Sequence, residues 1–227
     1  MASRASPTGF PRQLDQLEDL YGAPEPAVPR GALEWILWEN AAYLVPEEKR
    51  AACFRALKKR AGKSGAGILR ARREELLELA QGGGMLPEQR VEKWLEIATT
   101  VQEEFDGDLE QVLARPLAKA RSALKKFPGI GEPGAEKILL FTGTHALFAL
   151  ESNGLRVLVR LGYAREEKSY SSTYRALRTA LAPLENRGAA WLQRAHLLLQ
   201  RHGQELCKRT APRCDDCPLR ETCPAAE

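Results

Sequence analysis

Four of the five cysteines lie close together near the end of the chain. They are Cys207, Cys214, Cys217 and Cys223, with the spacing C-x6-C-x2-C-x5-C. Thiolates are soft ligands, and four of them in one short loop can enclose a single tetrahedral ion or one cubane iron–sulfur cluster. In structural zinc sites the ligands usually come as two closely spaced pairs separated by a longer segment. Here all four cysteines lie within one short loop. The loop 207–223 therefore predicts a metal centre and leaves iron and zinc both open.

The same loop carries cations that a bound metal would orient. Lys208, Arg209 and Arg213 all lie between the first two cysteines. A cation held in one direction can reach a nucleic-acid phosphate, although solvated surface charge is the simpler alternative. These three residues are candidate contacts to a nucleic-acid phosphate.

A glycine-rich bend follows a basic stretch in the middle of the chain. Residues 125–141 read KKFPGIGEPGAEKILLF, and two of the glycines are Gly129 and Gly131. Both can adopt positive φ, so backbone N–H groups of the bend and of the following helix can point at one phosphate. Such a grip ignores base sequence. We interpret the segment as a helix-hairpin-helix that holds a nucleic-acid backbone, with a plain tight turn as the alternative. The predicted contacts are Lys125, Lys126, Gly129, Ile130, Gly131, Pro133 and Gly134.

Composition and length limit the class of protein. The 227 residues are 44% hydrophobic and 28% charged, as in globular proteins, and they suffice for one large domain or two small ones. The net charge of +4 is a mild bias towards anionic partners. No apolar run reaches the roughly 20 residues that a membrane span needs, and no secretory signal is recognisable. We expect a cytoplasmic protein, in which reduced cysteines favour metal ligation over disulfides.

Hydrophobic periodicity predicts an all-α chain of about ten helices. Residues 33–45 are apolar nearly all round and end before a proline, which predicts a buried helix. The next helix opens with a proline and two glutamates and closes with three basic residues, which complement its dipole. No stretch alternates like a strand. Further helices are predicted over 68–80, 91–105, 116–126, 134–141, 153–162, 172–181 and 189–207.

The cysteine loop and the hairpin, in this order, resemble the endonuclease III branch of the helix-hairpin-helix DNA glycosylases. The similarity runs from about Leu33 to Cys223 and includes WLQRAHLLLQRHGQELCKRTAPRCDDC. The resemblance implies a [4Fe–4S] cluster on the four cysteines, with structural zinc as the alternative. It also implies two helical lobes with a DNA-binding cleft between them. These are a six-helix body over 26–145 that contains the hairpin, and a cluster lobe of 1–25 with 146–227.

The catalytic positions depart from the pattern of that family. Lyase members carry a lysine in a motif of roughly L-P-G-x-G-x-K-T-A, and FPGIGEPGA puts Pro133 at the lysine. Family members also carry an aspartate before a later helix, and Glu151 stands there. Without an amine at 133 no Schiff base forms there, whereas one carboxylate can stabilise an oxocarbenium-like sugar and activate water. We therefore predict a monofunctional glycosylase that flips a damaged or mispaired base and hydrolyses its N-glycosidic bond with Glu151.

Three other positions carry secondary hypotheses. Lys137, four residues after Pro133, is the fallback amine for an abasic-site lyase. Asn40 is the candidate plug for the gap that a flipped base leaves, and Tyr43 could stack on a base, although a capping asparagine and a core-edge tyrosine are ordinary features. For Glu151, the alternative is an acidic residue near a helix start that Ser152 caps.

Two other functions stay open. A DNA-binding protein of the same fold could have lost catalysis, which would explain both departures at the catalytic positions. An abasic-site lyase could use Lys137 or another amine. In each case the expected partner is double-stranded DNA, without a membrane, and the expected state is a monomer.

Overall fold

The structure, a computed structural model, describes residues 5–25, 28–62 and 64–226, and it confirms the expected all-α fold. Within these ranges there are twelve α-helices, short 3₁₀ turns and no β-strand, and no helix is long and apolar enough to cross a membrane. The helices are α1 (Phe10–Tyr21), α2 (Ala32–Glu39), α3 (Glu47–Ala61), α4 (Gly65–Leu69), α5 (Arg73–Gln81), α6 (Pro87–Phe105), α7 (Glu110–Leu113), α8 (Leu117–Leu124), α9 (Glu132–Phe141), α10 (Ser152–Arg160), α11 (Tyr170–Leu181) and α12 (Ala189–Glu205).

The helices form two compact units. The hairpin unit is Ala27–Thr144 and contains α2 to α9, and the cysteine unit combines Met1–Pro26 with His145–Glu227. In the hairpin unit, Trp94 of α6 is fully buried at the centre of the apolar core. Each unit therefore has its own core and positions its own set of candidate residues.

The N-terminal helix α1 is part of the cysteine unit. The ring of Phe10 packs edge-on against Phe148, Tyr163 and Trp191, with centroids 5.5, 5.7 and 5.9 Å apart. Edge-to-face aromatic pairs of this kind add to the free energy gained from burial of apolar area. Helix α1 is therefore held in place by residues from the second half of the sequence.

The predicted helix over 33–45 is wrong in its second half. Helix α2 ends at Glu39, and Asn40 leaves the helical path. The Nδ2 amide of Asn40 donates to the carbonyl oxygens of Ile36 at 3.0 Å and Pro128 at 2.9 Å. Because an asparagine side chain that bonds to backbone competes with continuation of a helix, the helix stops although its neighbours are apolar.

The predicted helix over 68–80 is two helices. Helix α4 ends at Leu69, α5 begins at Arg73, and the extended Arg72 lies between them. Helix α4 packs so closely on α6 that a Cβ at Gly65 would come 3.0 Å from the carbonyl oxygen of Ala98. This contact sets the course of α4, and periodicity along the sequence does not report it.

Candidate active site and metal centre

The predicted hairpin lies at the surface of the hairpin unit. Helix α8 ends at Leu124, α9 begins at Glu132, and both glycines of the bend between them are exposed. The side chain of Ile130, between the two glycines, is buried and anchors the bend to the core. The first N–H groups of an α-helix have no intrahelical acceptor. The start of α9 can therefore present N–H groups to a phosphate at an accessible turn.

The two glycines of the bend differ in conformation. Gly129 has φ +74°, and a Cβ there would lie 3.0 Å from Oδ1 of Asn40. Gly131 has φ −88°, so the expected positive φ holds only for Gly129. The reason is that Gly131 is the extended N-cap residue of α9, where a Cβ would meet only Cδ of Pro133 at 3.8 Å. The fold itself thus requires glycine at 129, whereas only a ligand in close contact would require it at 131.

Asn40, the candidate plug, fastens the hairpin. Its side chain is 7% exposed, and its amide joins the end of α2 to the carbonyl of Pro128 just before the bend. An amide that already donates to two backbone carbonyls is not free to enter a DNA duplex. The geometry favours a structural role for Asn40.

Carboxylates neutralise part of the basic flank of the hairpin. Lys126 forms an ion pair with Glu104, and Arg121 lies 2.7 Å from the buried Glu136. Lys125 is exposed beside the bend. Surface ion pairs such as that of Lys126 are worth little and can exchange for a phosphate contact.

Lys137, the fallback nucleophile, is held in an ion pair. Its Nζ lies 2.5 Å from Oε1 of Glu39 and 5.6 Å from the ring centroid of Trp35, and its side chain is only 14% exposed. The carboxylate and the aromatic face both stabilise an ammonium group. Lys137 must leave this ion pair before it can reach a sugar carbon, so its placement opposes the nucleophilic role.

Glu151 is the N-cap residue of α10. Its Oε2 accepts from the backbone N–H of Asn153 at 2.9 Å, and its Oε1 accepts from the N–H of Gly154 at 2.6 Å. The cap is therefore Glu151 itself, and the alternative in which Ser152 caps the helix is wrong. A carboxylate at a helix N-terminus also gains from the helix dipole. The half-buried side chain is held in one orientation at the start of α10.

Two arginines of α10 join this helix to the cysteine loop. Arg156 donates to the carbonyl oxygens of Gly203 at 2.7 Å and Cys207 at 3.0 Å. One turn later, Arg160 donates to the carbonyl oxygen of Lys208 at 2.7 Å and approaches Sγ of Cys207 at 3.3 Å. The orientation of α10 is thus coupled to the geometry of the loop.

A polar cavity of about 390 Å³ lies beside α10 in the cysteine unit. Ser152, Lys168, Tyr170 and Arg209 are among its lining residues. Burial and the charge of Glu151 raise the pKa of Tyr170 to about 12, so the phenol keeps its proton at neutral pH. The cavity therefore brings hydroxyl groups and cations near the candidate catalytic carboxylate.

Lys208 and Arg213, the other two candidate cations of the cysteine loop, do not line the polar cavity. Arg213 forms an ion pair with Asp216 at 2.6 Å, whereas the exposed Lys208 has its carbonyl oxygen bound by Arg160. Of the three candidate DNA contacts in the loop, the structure places Arg209 at the polar cavity.

All four clustered cysteines line one small cavity in the cysteine unit. Burial raises the pKa of the Cys217 and Cys223 thiols, and the neighbouring cysteines raise it further. His202 also lines this cavity, and burial lowers its pKa to about 4. Among residues 5–25, 28–62 and 64–226, no three His, Cys, Asp or Glu side chains are placed to hold one metal ion. The four sulfur atoms that line this cavity are soft donors.

Cys53 stands apart from this centre. It is buried in the hairpin unit, its Sγ lies 3.4 Å from the carbonyl oxygen of Leu79, and burial raises the pKa of its thiol. A buried thiol in such surroundings behaves as a small core residue.

The sequence was compared with those of known proteins. No family model matches the chain. Endonuclease III of Sulfolobus acidocaldarius is 28% identical over 120 residues, which cover 53% of this chain and 51% of that protein. Endonuclease III of Rickettsia conorii is 33% identical over 101 residues, 44% of this chain and 45% of that protein. The chain thus covers about half the length of these curated relatives.

The three-dimensional comparison extends over nearly the whole chain. The structure of a trapped endonuclease III–DNA covalent intermediate matches with a TM-score of 0.77 at 17% identity, covering 98% of this chain and 97% of that one. The chain has the endonuclease III fold. The resemblance to the endonuclease III branch, predicted from the cysteine loop and the hairpin, is confirmed.

Sequence reasoning missed an exposed apolar patch on this endonuclease III fold. The patch consists of Tyr43, Leu44, Met85 and Leu86, each at least half exposed, on two loops of the hairpin unit. The N–H of Tyr43 donates to the carbonyl oxygen of Gly83 at 3.0 Å, which joins the loops. Leu44 and Leu86 have left-handed φ values of 55° and 61°, which are costly for a branched side chain. The only signal in the sequence was the pair Met85-Leu86 after three glycines.

Arg90 supports the second loop of the patch. Its buried guanidinium donates to the carbonyl oxygens of Ala80 at 2.6 Å, Gly83 at 2.7 Å and Met85 at 2.9 Å. Three carbonyl groups bound by one cation make a rigid base for the exposed side chains. The sequence offered no reason to select this arginine.

Proposed function

We propose that this chain is a DNA glycosylase of base-excision repair. It binds duplex DNA that carries a damaged or mispaired base, flips that base and hydrolyses its N-glycosidic bond. The observation that carries the proposal is the exposed bend at Gly129 and Gly131 on the endonuclease III fold. A Cβ at Gly131 would meet only Cδ of Pro133, at 3.8 Å, so the backbone there is accessible to a phosphate in close contact. The structural neighbour described above is itself bound to DNA.

The proposed catalytic residue is Glu151. Cleavage of the glycosidic bond leaves positive charge on the deoxyribose, and a carboxylate fixed in one orientation stabilises that charge. Helix α10 supplies this orientation through the N–H groups of Asn153 and Gly154. The remaining lone pairs of the carboxylate can accept a proton from the attacking water. Glutamate reaches about 1.5 Å further than aspartate, so the sugar must bind further from the backbone of α10.

The proposed product is an intact abasic site. Pro133 provides no amine at the start of α9, and Lys137 is paired with Glu39. Without an amine nucleophile no Schiff base forms, and the strand is not cut by β-elimination.

Two further surfaces are proposed to contact DNA, the apolar patch of the hairpin unit and the polar cavity of the cysteine unit. An apolar wedge inserted between bases fills the space of an extruded nucleotide and keeps it extruded. Leu86 and Tyr43 are the proposed wedge residues, in place of Asn40. Lys168 and Arg209, which line the cavity, are proposed to contact backbone phosphates.

The proposed cofactor is a [4Fe–4S] cluster held by Cys207, Cys214, Cys217 and Cys223. Structural zinc on the same four thiols is the alternative. Four sulfurs around a shared cavity suit a larger group. When bound, the cluster would cross-link the loop 207–223 and orient its cations. A monomer in the cytoplasm, associated with the nucleoid in a bacterium, is the state proposed for the working enzyme.

A panel of damaged duplexes tests the function. The protein is incubated with each duplex, abasic sites are cleaved with hot alkali, and strand breaks are counted. We expect breaks with at least one lesion, their loss in Glu151→Gln with retained duplex binding, and their persistence in Glu167→Gln. Glu167 is a matched control because it is a carboxylate that lines the polar cavity beside α10 and does not cap that helix. Binding without breaks across the panel would support the inactive DNA-binding protein instead.

Borohydride trapping tests the lyase alternative. Borohydride reduces a Schiff base to a stable protein–DNA adduct, so the proposed monofunctional enzyme yields none on an abasic duplex. An adduct that disappears in Lys137→Ala would overturn the monofunctional assignment and identify Lys137 as the nucleophile.

A further inference from the structure

Both ring nitrogens of His202 are engaged inside the cysteine unit. The side chain is 1% exposed, with Nδ1 at 3.0 Å from Oη of Tyr21 and Nε2 at 3.6 Å from Sγ of Cys217. Tyr21 is the last residue of α1. A hydrogen-bonded chain therefore runs from the N-terminal helix through a buried imidazole to one of the four clustered sulfurs.

Helix α1 is held against the cysteine loop by other side chains as well. Gln13 donates to Oγ1 of Thr222 at 3.1 Å, and Gln16 donates to the carbonyl oxygen of Pro218 at 3.4 Å. Arg201 donates to the carbonyl oxygen of Tyr21 at 2.9 Å and lies 4.8 Å from its ring centroid. The phenol is thus placed from both sides, and its contact with His202 belongs to a packed surface.

The chemistry of a thiolate ligand determines which atom donates in each of these hydrogen bonds. A metal-bound thiolate carries no proton, so it can only accept a hydrogen bond. A neutral imidazole has one N–H group and one acceptor nitrogen. If Nε2–H points at Cys217, Nδ1 must accept, and the hydroxyl of Tyr21 is placed to donate to it. The phenol and the thiolate then select the same tautomer of His202.

We propose that His202 donates a hydrogen bond to the Cys217 thiolate of the cluster, that Tyr21 fixes the tautomer, and that this pair raises the reduction potential. The proposal rests on the [4Fe–4S] assignment made above. Hydrogen bonds to cluster sulfurs are among the terms that set the potential of such centres. A donor stabilises the reduced state more than the oxidised state, because the reduced state carries more negative charge. Helix α1 is then part of the metal centre, although it contributes no ligand.

The test uses the full-length protein with its iron and sulfide content measured first. The midpoint potential of the cluster, free and bound to DNA, is compared among the wild type, His202→Leu, Tyr21→Phe and Tyr174→Phe. We expect a lower potential in His202→Leu, a smaller shift in the same direction in Tyr21→Phe and no shift in Tyr174→Phe. Tyr174 is a suitable control because it is a buried tyrosine of the same unit that does not line the cysteine cavity. Release of iron to a chelator should be about 10-fold faster in both of the first two variants.

The outcomes separate this proposal from the cofactor assignment. Normal iron content with unchanged potential and unchanged iron release in Tyr21→Phe and His202→Leu would overturn the hydrogen-bond role alone. Absence of iron and sulfide from the wild type would refute the cluster and this proposal together, whereas base excision is scored independently on the duplex panel. If His202→Leu does not fold, two other variants still test the proposal. Tyr21→Phe is compared with His202→Gln, which keeps an N–H donor, and the potential of each is either shifted or unshifted relative to the wild type.

Discussion

The Nδ2 amide of Asn153 donates to Oε2 of Glu151 at 2.8 Å, while its Oδ1 accepts from Arg156 at 2.9 Å. These two bonds fix which end of the Asn153 amide faces the carboxylate. Because Arg156 also binds the carbonyl oxygens of Gly203 and Cys207, the candidate catalytic group and the cysteine loop belong to one hydrogen-bonded network. The position of Glu151 therefore depends on Asn153 and, through Arg156, on the cysteine loop.

Replacement of Asn153 by aspartate should slow base excision strongly. Asn153→Asp would place a second carboxylate against Glu151 and turn it away from the sugar. A misplacement of about 1 Å can cost about 100-fold in rate, and we expect a loss of that order with unchanged duplex affinity. Single-turnover excision kinetics give the rate. Asn186→Asp makes the same charge change at an exposed site of the same unit and should be silent; an equal loss there would refute the positioning role.

The two glycines of the hairpin should respond differently to alanine. Gly129→Ala should lower the free energy of unfolding by about 1–2 kcal/mol, because φ is +74° and the new Cβ would crowd Asn40. Gly131→Ala should leave stability unchanged, because its φ is −88° and the surrounding space is open. It should nevertheless weaken duplex binding, since the methyl group blocks a close phosphate. Urea unfolding and a duplex titration measure the two effects, and unaltered affinity in Gly131→Ala would remove the hairpin from the interface.

Asn40→Ala distinguishes a structural role of Asn40 from insertion of its side chain into DNA. Loss of the hydrogen bonds to Ile36 and Pro128 leaves two carbonyl oxygens without this partner, which should cost about 1–3 kcal/mol in the free energy of unfolding. A residue that only enters DNA would leave stability unchanged and reduce excision. Thermal unfolding alongside an excision assay distinguishes the two, and a stable but inactive variant would restore the plug hypothesis.

Leu86→Gly should slow base excision without lowering the stability of the protein. Glycine adopts the left-handed φ of 61° without strain, so the variant should be as stable as the wild type or more stable by up to about 1 kcal/mol. Removal of the proposed wedge should slow excision from duplex DNA and affect a single-stranded substrate less. Leu69→Gln is the control, because Leu69 is an exposed leucine of the same unit outside the patch. Normal duplex excision in Leu86→Gly would exclude Leu86 as a wedge.

Local sequence signals were informative where one segment contains the whole feature. The cysteine spacing selected four residues that line one cavity, and the bend KKFPGIGEPG placed a turn between two helices. Glu151 was selected by its place before a helix, and it caps that helix. In each case the relevant atoms lie within a few turns of chain, so residue type and spacing carry the information.

Features built from distant segments were misjudged or not foreseen. Asn40 looked available because its contact with Pro128 joins residues 88 positions apart. The apolar patch exists because Tyr43 pairs with Gly83 across two loops, and Tyr21 from the N-terminal helix bonds to His202 beside the clustered cysteines. Periodicity and motif spacing describe one stretch of chain at a time, so they cannot report such pairs.

The amino-acid sequence alone determined that the chain is helical, that four thiols gather in one loop, and that a glycine turn follows a basic helix. Tertiary packing decided which of these side chains are free to act. It tied Asn40 and Lys137 to neighbours, exposed Leu86, and linked Glu151 through Asn153 and Arg156 to the cysteine loop. The reason is physical: residue type sets what a side chain can do, whereas burial and hydrogen-bond partners from remote segments set whether it is already engaged.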